Sequence, residues 1–143
     1  PTFVAAQFIV AVQGIVGRNV PPSQAAVLSV GHIAAGTYGS PNVIPSDVLI
    51  RGTARSFSAD VRALLERRLA EVADGIAKAG GCQAESKYFR RYPALINAKE
   101  QTSVAVEAAA MTVGHENVNP NVMPIAGAED FAFMLERKPG AYI

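Results

Sequence analysis

At 143 residues and half apolar, the chain is long enough for one good core, or for one domain with a piece of another. Thirteen basic against twelve acidic residues leave a net charge of +1, which excludes the strongly basic surface of a nucleic-acid-binding protein. No apolar run approaches the roughly 20 residues of a membrane span, and the single cysteine, Cys82, excludes an internal disulfide and fits a reducing, cytoplasmic compartment.

From Pro1 to Asn19 the apolar residues Val4, Ala5, Phe8, Ile9, Val12, Ile15 and Val16 recur at helical spacing, with Pro1 tolerable in a first turn. Gln7 and Gln13 interrupt the apolar run and no basic region precedes it, so it does not read as a signal peptide. Asn19 with Pro21 and Pro22 stops the helix. Residues 25–35 read as a strand, and a glycine-rich loop follows from Gly36 to Pro41.

The stretch from Asn42 to Phe57 carries the most information. Pro45 holds Ile44 extended, and Ser46 and Asp47 supply the local hydrogen bonds of a turn. Val48 to Phe57 then alternates. Val48, Ile50, Gly52 and Ala54 make a small apolar face, suited to lie under a helix. Leu49, Arg51, Thr53, Arg55 and Phe57 make the other, which can meet an anion through two guanidinium groups and a hydroxyl.

Ser58 caps the next helix, and Asp60 suits its N-terminal dipole. Val61, Leu64, Leu65, Leu69, Val72 and Ile76 form its buried stripe, and Gly80-Gly81 ends it. Residues 82–92 are expected to form a third strand, closed by Pro93. The order α-β-β-α-β is that of a ferredoxin-like split βαβ domain lacking its first strand.

Beyond Pro93 a helix is expected from Asn97 or Ala98 to Val113, with Val104, Ala108 and Met111 turned inward and Gly114 at its end. An irregular connector, His115 to Pro124, leads to a short helix opened by Glu129-Asp130, with Arg137-Lys138 in its last turn. Pro139-Gly140 then turns into a final buried strand at Ala141.

No catalytic constellation is complete. His32 and His115 are 83 positions apart, and only Glu116 lies at ligand spacing beside either. Both histidines and Cys82 read as structural. Glu129 and Asp130, adjacent on a helix, do not face each other as an acid–base pair would; their first role is to fix that helix end. No serine has a Gly-x-Ser-x-Gly context, and Gly36 to Ser40 lacks the lysine of a phosphate-binding loop.

Residues 29–57, SVGHIAAGTYGSPNVIPSDVLIRGTARSF, resemble the lid, or dimerisation, domain of the metal-dependent amidohydrolases that include aminoacylases, hippurate hydrolases and carboxypeptidases. In that family a glycine-containing segment leads to Asn-Val-Ile-Pro, and an arginine follows on the next strand, as Arg55 does here. Residues 127–143, GAEDFAFMLERKPGAYI, resemble the Gly-Gly-Glu-Asp-Phe-Ala segment of the hippurate hydrolase branch, with Ala128 replacing the second glycine.

The resemblance implies an α+β lid over residues 1–92, followed by a piece of an α/β catalytic domain over 93–143. It implies that Asn42 and Arg55 contact the substrate, an N-acyl amino acid or similar amide. It also implies a homodimer joined through the first helix and the edge strand. Members of the family bind divalent metals (zinc, manganese, nickel or cobalt), and metal-activated water attacks the amide carbonyl. The His-x-Cys-Gly-His-Asp context that holds those metals does not occur here, so none is expected to bind this stretch, and the chain alone is expected to be inactive.

Two other classes compete. A free-standing ferredoxin-like module that binds or senses a small molecule leaves residues 127–143 unexplained. An RNA-binding ferredoxin-like domain lacks its aromatic, basic strand. No nucleic-acid or membrane partner is expected.

Overall fold

The computed structural model describes residues 1–143. They form two compact units, Pro1–Phe89 and Arg90–Ile143. The first contains helix α1 (Thr2–Asn19), strands β1 (Ala26–Ala34) and β2 (Leu49–Ser56) and helix α2 (Ala59–Ala79). The second contains α3 (Lys99–Val113), a single 3₁₀ turn at His115–Asn117 and α4 (Phe131–Leu135). No helix is long and apolar enough to cross a membrane.

In the first unit both helices lie on one face of a two-stranded antiparallel sheet. The expected α1 stripe is the buried one: Val12 and Ile15 are almost fully enclosed, and Phe8 and Val16 pack beside them. They meet Val61 and Leu65 of α2, together with Ala26, Leu28, Val30 and Ala54 from the sheet. Burying a side chain of this size contributes about 1.5–3 kcal/mol, so this cluster supplies most of the unit's cohesion. Ala73 and Ala77 are also buried, and a Cβ on Gly80 would overlap Val4. Small residues at the end of α2 thus let the start of α1 approach closely. Ser58 caps α2 by accepting from the Val61 N–H at 3.4 Å.

The sheet register contains one irregularity. Ala26, Leu28 and Val30 oppose Ser56, Ala54 and Gly52, but the next pair is His32 with Arg51, leaving Gly31 as an extra residue. A β-bulge of this kind moves every later side chain to the opposite face. Leu28 and Val30 therefore point to the core, while His32 shares the outer face with Arg51, Thr53 and Arg55.

The third strand does not form. Residues 82–92 have no ladder hydrogen bonds, and the sheet stops at two strands. In a split βαβ crossover the two parallel strands are separated by one other strand. The 143 residues contain no strand before α1 to fill that place, so residues 82–92 have no neighbour with which to pair. The ferredoxin-like expectation thus reduces to a mixed helix and strand unit with one antiparallel pair.

Three expectations for the second unit also change. On α3 the exposed residues include Val104 (70%) and Met111 (79%), with Ala108, whereas Ala110 is buried and Thr102, Ala105, Val106 and Ala109 are half-buried. The helix is apolar on several sides, so periodicity alone did not select the packed one. The last helix is shorter than expected: α4 ends at Leu135, and Arg137 and Lys138 continue only as turns on the Met134 carbonyl. The closing strand at Ala141 is absent as well. In its place the Asn97 amide imitates a strand neighbour, donating to the Tyr142 carbonyl at 2.8 Å and accepting from its N–H at 2.9 Å.

Candidate functional site

Asn42 sits in the loop that joins β1 to β2. Gly36 opens the loop at φ +63°, a conformation that favours glycine, and the Pro45 ring lies 3.8 Å from where its Cβ would be. The two ends of the loop are therefore pinched together. Two turns follow, with the Ser40 N–H bonded to the Thr37 carbonyl at 3.0 Å and the Val43 N–H to the Ser40 carbonyl at 3.1 Å. Asn42 lies in the second, exposed, so its amide can offer a donor and an acceptor to a ligand.

Arg55 is exposed on the outer face of β2, opposite Val27. Thr53 opposite Ser29 comes next, then Arg51 opposite His32. The polar face expected from alternation is thus present, with His32 added to it by the bulge. Sequence reasoning left His32 as structural; Gly31 inside a strand was the available signal of a bulge. The structure does not set Asn42 and Arg55 side by side along the strand. Arg55 lies six residues beyond the start of β2, roughly 20 Å of strand.

The acidic pair of the second unit has a structural task. Glu129 Oε1 accepts from the Phe131 N–H at 3.2 Å, at the entrance to α4. That amide, then the neighbouring Asp130 and Tyr142 side chains, hold the Glu129 carboxyl below its ordinary range. The same carboxylate pushes the Tyr142 phenol up. Tyr142 also packs on Phe131, with ring centroids 5.7 Å apart. Glu129 therefore joins the entrance of α4 to the chain around Tyr142.

No three His, Cys, Asp or Glu side chains come together in a group able to hold a metal ion. His32 belongs to the first unit, and His115 begins the 3₁₀ turn of the second. The residues present do not fit a metal centre. What the first unit offers chemically is hydrogen-bond donation to an anion.

Residues 7–143 match the model of peptidase family M20/M25/M40. The chain belongs to this family. Over its full length it is 38% identical to an N-acetylcysteine deacetylase of Bacillus subtilis (strain 168), and it covers 36% of that protein. It is 34% identical to a hippurate hydrolase of Campylobacter jejuni over 142 residues, 99% of this chain and 37% of that one. Among solved structures, a candidate aminohydrolase from methicillin-resistant Staphylococcus aureus superposes with a TM-score of 0.77 and 26% identity, over 97% of this chain and 35% of the other. The chain spans about a third of the length of these relatives. Peptidase family M20/M25/M40 is generally metal-dependent, and its members named above are hydrolases of amides such as N-acyl amino acids.

Proposed function

We propose that the protein to which these residues belong is a cytoplasmic metal-dependent amidohydrolase that cleaves the amide bond of N-acyl amino acids. Residues 1–92 act as its lid and dimerisation domain, and residues 93–143 as a piece of its catalytic domain. The observation that carries the reading is the outer face of β2, where Arg55 stands exposed on a strand anchored by the α1–α2 core. Its planar fork matches a carboxylate, the group that every N-acyl amino acid presents beside the scissile amide. Asn42, with both a donor and an acceptor, suits the amide or its developing oxyanion.

The dimer rests on the outer side of α1, where Phe3 and Val10 are exposed, and on β1, whose other edge has no partner strand. A lone cysteine, with no disulfide to maintain, fits the cytoplasmic placement.

Steady-state kinetics on the metal-loaded whole protein test the reading. Arg55→Ala removes a charge-assisted bond worth roughly 1.5–3 kcal/mol, so kcat/KM falls about ten- to hundredfold. Arg55→Lys recovers part of it, because a point charge cannot reproduce the fork. Arg67→Ala, on the exposed side of α2 where Arg67 pairs with Glu71, serves as the control. Equal efficiencies in the Arg55 and Arg67 variants would remove Arg55 from the site.

A further inference from the structure

The outer face of the sheet carries more anion-binding capacity than one carboxylate contact uses. The bulge at Gly31 turns His32 outward and places it directly across from Arg51. Cross-strand partners have Cβ atoms about 4.5–5.5 Å apart, so an imidazole and a guanidinium stand side by side. Both are exposed, and neither pairs with an acid of this chain. Arginine has no acceptor to offer its neighbour, and imidazole can donate an N–H in either protonation state. Such a pair has donors in excess, and the complementary ligand is an acceptor-rich anion.

Position narrows the ligand class. Arg51 and Arg55 are separated by four residues, roughly 13 Å of strand, and both extend from the same face. Between them lies the Thr53–Ser29 pair, whose small hydroxyl side chains leave room for the two long arginines to lean together. We propose that His32 and Arg51 form a second anion-recognising pair that selects N-acyl amino acids bearing a side-chain carboxylate, while Arg55 holds the α-carboxylate. This rests on the amidohydrolase reading given above. The bulge is the device that creates the pair: without the extra residue, His32 would fall on the core face with Leu28 and Val30.

The test uses the metal-loaded whole protein and two compounds of nearly equal size, N-acetylglutamate and N-acetylglutamine. The quantity read is the ratio of their kcat/KM values. The wild type favours the glutamate compound by about tenfold or more, as expected where a charged group meets two donors. Arg51→Gln and His32→Gln each lower that ratio at least threefold or so, mainly through KM, and Arg51→Lys restores part of it. A ratio near one in the wild type, or the same ratio in all variants, overturns the pair while leaving the amidohydrolase reading intact. Failure of the wild type to hydrolyse these compounds and also N-acetylalanine and hippurate overturns that reading, and the pair with it.

Discussion

Gly52 lies beside the bulge, opposite Val30. A Cβ built there would overlap the Ser29 carbonyl oxygen, with the Ser29 carbonyl carbon at 3.2 Å and Val30 Cα at 3.4 Å. All three are backbone atoms, which cannot swing aside as the end of a side chain can. Gly52→Ala is therefore expected to cost about 1–3 kcal/mol, measured by urea denaturation, and to disturb the presentation of His32. Unchanged stability would mean that the sheet opens at this point. Alternation alone assigned Gly52 correctly to the small face under the helices. It could not reveal the bulge, because one extra residue in β1 shifts His32 without changing the pattern in β2. Arg51 and Arg55 were placed correctly for the same reason: β2 has no irregularity of its own.

Elements were legible where one pattern excluded the others. In α2 a single apolar stripe coincides with the buried side, in α1 the larger stripe does so although Phe3 and Val10 lie off it, and Ser58 marks the start of α2 through a cap that needs only local atoms. In α3, by contrast, apolar residues on both sides left the packed face undetermined by period. The structure buries the alanine side, which predicts an asymmetric response. Ala110→Leu inserts three carbons at a site only 4% exposed, and is expected to cost about 1–3 kcal/mol. Met111→Lys, one residue on, replaces a side chain that is 79% exposed and should change the stability of the 143-residue chain by less than about 0.5 kcal/mol. Thermal melts followed by circular dichroism compare the two; a larger loss from the lysine would restore the Val104–Met111 side as the packed one. Residues 82–92 failed for another reason. Their alternation suits a strand, but strand formation depends on a partner, and that information lies outside the segment.

At the scale of the whole molecule, the apolar surface that the folded chain leaves uncovered is itself informative. The inner stripe of α1 is accounted for by the core, yet Phe3 and Val10 on its outer side are each 73% exposed. With Ala6, Gln7 and Ala11 they line a shallow apolar groove along a single helix. In the same unit β1 has a partner only at β2, so its other edge presents unpaired backbone groups. Val27 and Ile33 are exposed on this strand, and His32 is its only ionisable side chain, so little charge protects it from pairing. An exposed edge and an adjoining apolar helix face favour isologous association, in which a two-fold axis lets each copy cover the other. The whole protein is therefore expected to sediment as a dimer. Val10→Glu should shift it towards monomer while leaving the helical circular dichroism intact, since Val10 makes no contribution to the buried cluster. A wild type that stays monomeric at high concentration, or a Val10→Glu protein that remains dimeric, would rule out this face as the interface.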